Sequence, residues 1–375
     1  MYENNIEVGI LTFHESLNFG AILQAYGLQS AIKRLGYVVK IVDYHSEKKA
    51  YEYEWKFSKE KSWKQNILAF LSFAFYRKRR KLTDNFINVF LKISNMKYSE
   101  NSINKIAQTD IKFVCGSDQV WNIYNTKTDW IYFLTFVDKK ENRIAYGAST
   151  GVTEIEDKYR ERFASEVKKF SYVSVRGKQE AAMLKKYCNI NVDVVLDPTL
   201  LLDLTKWNSV ESTWKWDKEY IFLYTLGWKQ ETLNKVREIA RQENLPVVVP
   251  VFDLRSYFFS IKYGFGGVIL GPQDYLSAIH HSKYIFTDAY HGIIFSIIYH
   301  KDFWVLSKNE KHNTESRIDD LLEMTGLEER KLKLDCRFDR QEEIDYQKVD
   351  SILDKEREYS LNYLRKCLYK NHRET

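Results

Sequence analysis

Two short stretches combine polar side chains with the abrupt end of an apolar run. The first begins at Ile111, reads as a buried strand to Cys115, and breaks into Gly116-Ser117-Asp118-Gln119-Val120-Trp121-Asn122. Ser117, Asp118, Gln119 and Asn122 can supply several directional hydrogen bonds, and Trp121 offers a flat apolar face. That set suits a polyhydroxylated ligand. It equally suits an Asx-type turn around Asp118 with Trp121 in the core. In the second stretch, Tyr284–Phe286 leads into Thr287-Asp288-Ala289-Tyr290-His291-Gly292 and then into the apolar run Ile293, Ile294, Phe295, Ile297 and Ile298. A histidine at the mouth of such a helix can move a proton near neutral pH, or it can be a cap or a core residue. Asp288 is placed to orient that ring or to cap the helix.

Other candidates are weaker alone. Arg176 follows the strand-like Tyr172–Val175 and has the geometry to grip a carboxylate or phosphate; a strand-end arginine also makes structural ion pairs. Asn18 and Gly20 open a helix, where backbone N–H groups attract anions, but Asn is also an ordinary N-cap. Lys308, Lys311 and Arg317 follow a strand and matter only if an anion is held there. The adjacent His280 and His281 have no carboxylate at metal spacing in the sequence, so no metal is expected. The basic run Arg77–Lys81, after the apolar Ile67–Phe75, offers a peripheral contact with an anionic membrane or a solvated helix face.

These residues need elements to hold them. Val8–Phe13 reads as a strand, Ala21–Leu35 as a helix closed by Gly36, and Tyr37–Asp43 as a second strand, which is the order of a parallel βαβ unit. Residues 46–108 are rich in Lys, Glu and aromatics, have helical periodicity, and read as a helical insertion without a strand. Further strands are expected at 111–115, 143–146, 172–175 and 192–196, with helices at 155–170 and 178–187. Residues 207–218 are polar and irregular. Beyond them strands at 220–224, 246–250, 284–286 and 303–306 alternate with helices at 229–243, 273–281 and 291–299. A long helix is expected at 345–370. The fold class is therefore α/β, with a domain at 1–205 carrying the insertion, a second at 206–340 and a C-terminal helix within 341–375.

The bulk composition agrees with two globular domains. The chain has 375 residues, 44% of them apolar, and a net charge of +6 with acids and bases interspersed, which gives nucleic-acid binding little support. The 26 Tyr, 22 Phe and 9 Trp are abundant enough for some rings to face sugars as well as fill cores. Cys115, Cys188, Cys336 and Cys367 show no metal-like spacing and suggest a reduced, cytoplasmic protein. The first residues lack a basic region and read as entering a strand, so no signal peptide is expected. The longest apolar stretch, Ile67–Phe75, is well short of the ~20 residues that span a bilayer.

Taken in order, several segments resemble the polysaccharide pyruvyl transferase family: Asn18–Gln24, Gly116–Asn122, Ala145–Ser149, Ser174–Arg176, Val195–Leu200, Thr287–Gly292 and Ser316–Ile318. The resemblance implies two Rossmann-like domains facing across a cleft, as in GT-B glycosyltransferases. It implies phosphoenolpyruvate as co-substrate, no tightly bound cofactor, and a saccharide acceptor, lipid-linked or nucleotide-linked. The product would be a pyruvate ketal in a cell-surface glycan such as a capsule or exopolysaccharide, made at the inner face of the membrane. His291 and Asp118 become the catalytic candidates. Arg176, Lys311, Lys308, Arg317, Asn18 and Gly20 become the donor-binding ones, with Arg176 and His291 expected around one anionic donor. Ser117, Gln119, Trp121, Asn122 and Tyr290 become the acceptor-binding ones. Ala289 stands where several members carry an arginine, and Arg317 is the candidate substitute. A nucleotide-sugar glycosyltransferase and a non-catalytic glycan-binding relative are the competing readings.

Overall fold

A computed structural model describes residues 6–48, 62–108, 111–152, 154–306, 314–334, 338 and 343–369, without the side chains of 64–69, 71, 108 and 314–316. The chain forms two compact units. One comprises residues 1–53, 90–202 and 351–375, and the other 54–89 and 203–350.

In the first unit β1 (Val8–Leu11) leads through α1 (Phe19–Arg34) to β2 (Val39–Tyr44). The chain then runs through the long helix α2 (Trp63–Phe90), which groups with the second unit, and the first unit resumes with β3 (Ile93–Tyr98), β4 (Lys112–Asp118), β5 (Arg143–Ala148), α3 (Asp157–Val167), β6 (Tyr172–Val175), α4 (Lys178–Cys188) and β7 (Asp193–Val194). The strand order is β3-β2-β1-β4-β5-β6-β7, and every pair is parallel. The chain reverses its winding direction between β1 and β4, the topological switch at which open α/β sheets bind ligands beyond the strands' carboxyl ends.

The second unit repeats the plan. Its elements are α5 (Leu204–Asn208), β8 (Ile221–Tyr224), α6 (Gln230–Gln242), β9 (Val247–Pro250), α7 (Leu254–Tyr263), β10 (Gly266–Val268), α8 (Pro272–His280), β11 (Tyr284–Thr287), α9 (Tyr290–Ile298), β12 (Asp302–Val305) and α10 (Thr314–Thr325). The sheet order is β10-β9-β8-β11-β12, again parallel, with its switch between β8 and β11. Both sheets are sandwiched between helices, so β1, β8, β9 and β11 are buried along their whole length. The α/β class with two Rossmann-like sheets is as expected.

Three expectations change. Residues 46–108 are not purely helical, because β3 adds an edge strand beside β2. Residues 54–89 group with the second unit: Arg79 lies over the Phe252 ring and Phe75 packs on Tyr257. The terminal helix α11 (Tyr346–Leu368) is divided between the units rather than standing apart. Its start is tied to the second by Tyr346 Oη donating to the Lys301 carbonyl at 2.5 Å. Its remainder is tied to the first, where Tyr363 Oη donates to Ala145 O at 3.2 Å and Ser360 Oγ accepts from Leu196 N at 3.0 Å. Cys115, Cys188 and Cys367 are buried free thiols, and burial pushes the Cys188 thiol up to about 11. Cys336 lies outside the described residues.

Candidate active site

At the switch of the first sheet, Thr12 just beyond β1 donates to the Ser117 carbonyl on β4 at 3.2 Å. Ser117 is fully buried, and its hydroxyl donates to Gly147 O at 3.2 Å. Gly147 has φ +54, and a Cβ there would lie 3.1 Å from Arg176 Cγ and 3.3 Å from Ser117 Oγ. The ends of β4, β5 and β6 thus interlock around the arginine. Arg176 Nη1 donates to Asp197 Oδ2 at 2.6 Å, and neither side chain is exposed. Its Nη2 lies 3.5 Å from Asp118 Oδ1, and the Asp118 side chain keeps 18% of its surface. Asp118 is therefore the accessible acid of this turn, and Arg176 sits behind it as a buried counter-ion.

Several expected ligand contacts become structural ones. Trp121 is fully buried and stacks on Phe133 at 5.4 Å, with Phe163 and Phe170 edge-on, so its face belongs to the core and not to a sugar. Ser117 is enclosed, as above. Asn122 Oδ1 accepts from the backbone N–H groups of Tyr124 and Asn125 and builds the turn. Its Nδ2 donates to Gln119 Oε1 at 3.1 Å, and Gln119 remains half-buried. Asn18 Oδ1 accepts from Gly20 N at 2.9 Å and Ala21 N at 3.3 Å, capping α1 and occupying the N–H of Gly20. Arg176, expected on the donor, has no exposed side-chain surface with which to meet one.

Asp197 escaped sequence reasoning as a site residue. Besides receiving Arg176, its Oδ1 accepts from Thr199 N and Oγ1. The Asp-Pro-Thr signature of a capped 3-10 turn was visible, but its partner 21 residues away was not.

At the second switch, Asp288 neither caps α9 nor orients the histidine. Its carboxylate accepts from Leu226 N at 2.7 Å, Thr225 Oγ1 at 3.0 Å and Gly227 N at 3.3 Å, fastening the end of β8 to β11. The N-cap of α9 is Ala289, which supplies no side-chain cap. Gly292 is required here, because a Cβ would lie 2.3 Å from Thr287 Oγ1. Tyr290 and His291 are half-buried, with ring centroids 5.4 Å apart and edge to face. Arg317, near the start of α10 and largely buried, places its guanidinium 5.4 Å from the Tyr290 centroid. The geometry thus groups Arg317, Tyr290 and His291 at a helix N-terminus, a combination of fixed positive charge, partial backbone charge and a proton carrier. Lys308 and Lys311 lie outside the described residues.

Solved structures share the fold. A protein from Listeria monocytogenes described as a UDP-N-acetylglucosamine 2-epimerase aligns over 96% of this chain and 90% of its own, at 12% identity and a TM-score of 0.50. A second UDP-N-acetylglucosamine 2-epimerase aligns over 99% and 98%, at 12% identity and a TM-score of 0.51. The wall teichoic acid polymerase TagF aligns over 98% and 90%, at 10% identity and a TM-score of 0.46. At such identities the likeness to the two epimerases speaks for the fold alone, an α/β chain with two Rossmann-like sheets. No curated protein matches the sequence. The polysaccharide pyruvyl transferase profile matches residues 18–309, from the α1 cap through both strand-end clusters, and the chain belongs to the polysaccharide pyruvyl transferase family.

Proposed function

We propose that this protein transfers a pyruvyl group from phosphoenolpyruvate to a saccharide of a cell-surface glycan. Family membership supports the reaction class. The observation that carries the donor assignment is the grouping of Arg317, Tyr290 and His291 at the start of α9, a helix with no side-chain cap. Phosphoenolpyruvate carries a carboxylate and a phosphate, and a helix N-terminus beside an arginine matches that charge. Arg317 takes over the role of the cation missing at Ala289, with Lys308 and Lys311 as further donor ligands.

In this reading His291 is the general acid and base. Protonation of the donor's methylene carbon makes its C2 electrophilic, and one sugar hydroxyl adds there. Phosphate leaves, the second hydroxyl closes the ketal, and the two hydroxyl protons pass to base. Asp118 and Gln119 are the proposed acceptor contacts, because their side chains keep accessible surface at the β4 turn. Arg176 serves by holding Asp118 rather than by touching donor. No tightly bound cofactor is required. A lipid-linked acceptor would bring the enzyme to a membrane surface; among the described residues no helix is long and apolar enough to cross one.

Isothermal titration of the full chain tests the donor assignment. Phosphoenolpyruvate should bind, and Arg317→Ala and His291→Ala should each weaken it at least tenfold. Binding of a uridine diphosphate sugar with no response to phosphoenolpyruvate would replace this reading with glycosyl transfer. Saccharide binding with neither donor would indicate a non-catalytic relative.

A further inference from the structure

The loop after β1 carries His14 and Glu15, Asp43 is the penultimate residue of β2, and His45 follows the strand directly. The parallel register of the two strands, Ile10 beside Ile41, brings these ends together. Asp43 and His45 are two residues apart, the spacing that returns a side chain to one face of an extended chain. His14 Nε2 is 2.9 Å from Asp43 Oδ1, His45 Nε2 is 2.7 Å from the same oxygen, and His45 Nδ1 is 3.1 Å from Glu15 Oε2. One donor atom from each of the four residues falls within 4.8 Å of all the others. Tetrahedral ligands at bond lengths of ~2.0–2.1 Å stand roughly 3.3 Å apart, and octahedral ones somewhat closer, so small side-chain movements would seat an ion.

We propose that His14, Glu15, Asp43 and His45, converging at the carboxyl ends of β1 and β2, form a binding site for one divalent transition-metal ion of the zinc class. The donor set has two imidazoles and two carboxylates, which neutralise a dication and favour zinc, cobalt or iron over magnesium or calcium. His14 is built as a ligand would be. Its side chain is 3% exposed, and Nδ1 faces the Thr12 carbonyl at 3.4 Å, which turns Nε2 toward the cluster. His45 and Glu15 keep 35% and 39% of their side-chain surface, leaving a route of entry. The alternative is a hydrogen-bonded charge cluster in which Asp43 receives both rings. This proposal departs from the expectation of a metal-free protein and does not depend on the pyruvyl-transfer reading.

The test uses the full chain, stripped with chelator and titrated with zinc against a chromophoric competitor, with cobalt(II) absorption as a second readout. One equivalent of zinc should bind and raise the unfolding midpoint. His45→Ala and Glu15→Gln, both at accessible positions, should each weaken zinc at least tenfold and abolish the rise, with circular dichroism unchanged. Cobalt should give visible bands that His45→Ala removes. A second histidine pair, His280 and His281, lies beside Glu211, and His280→Ala serves as the control that leaves binding intact. No zinc uptake, uptake indifferent to both variants, or uptake lost only in His280→Ala would each overturn the proposal.

Discussion

Arg176 and Asp197 form a fully buried ion pair, Nη1 to Oδ2 at 2.6 Å, directly behind the accessible Asp118. A charge in that position is expensive to desolvate and is stable only while its partners remain. The pair joins the end of β6 to the capped turn at Pro198–Leu201, and the same guanidinium sits near Asp118 on the end of β4. Three segments far apart in sequence are thus held by one side chain.

Arg176→Ala should therefore act first on stability. It leaves Asp197 buried without its cation, a change that costs about 3–5 kcal/mol in comparable cases. Urea denaturation followed by circular dichroism checks this, and Asp197→Asn completes a double-mutant cycle with a favourable coupling energy. An Arg176→Ala protein with the wild-type midpoint and a selective loss of donor affinity would return the arginine to the donor site.

The contact of Gly292 with Thr287 yields a second prediction. Adding a methyl at Gly292 drives a Cβ to 2.3 Å from Thr287 Oγ1, at the point where β11 turns into α9. Overpacking of this kind costs about 1–3 kcal/mol. Gly292→Ala should lower the unfolding midpoint, and it should do so less in a Thr287→Ala background, where the obstructing oxygen is gone. Equal losses in both backgrounds would show that the clash is absorbed elsewhere.

Most of the two sheets was legible because their strands are continuous apolar runs ending in turn residues, the signature of parallel strands covered on both faces. The elements that escaped lack that signature. In β3, Asn95, Met96 and Lys97 are exposed, and the inward Ser94 spends its hydroxyl on Asp43 N and Met96 O. β10 is Gly-Gly-Val, with little strand propensity. α7 presents Tyr257, Phe258 and Ile261 to solvent, which blurs its apolar stripe, although its Asp253–Ser256 capping box was readable. At the candidate site, strand-end positions could be read but side-chain destinations could not. Whether Trp121 faces sugar or core depends on Phe133, Phe163 and Phe170, and whether Arg176 faces donor or acid depends on Asp197. Those partners are set by tertiary packing, not by local spacing.

The basic run of α2 is only partly available. Arg79 is engaged over the Phe252 ring, and Arg80 pairs with Asp84 at 2.7 Å. Arg77, Lys78 and Lys81 remain exposed, on the helix that also exposes Trp63, Phe70 and Phe73. Within the same unit α7 exposes Phe258 and Ile261 and touches α2 through Tyr257 and Phe75. Exposed aromatic and basic groups together match the interface of an anionic bilayer, where each cation contributes about 1 kcal/mol. The full chain should sediment with vesicles containing phosphatidylglycerol and remain in solution with neutral ones. Arg77→Glu combined with Lys78→Glu should reduce binding at least tenfold, and Phe70→Ser with Phe73→Ser should weaken it without changing its salt dependence. Sedimentation that is equal on neutral vesicles, or unaffected by the charge reversals, would leave these residues as an ordinary solvated face.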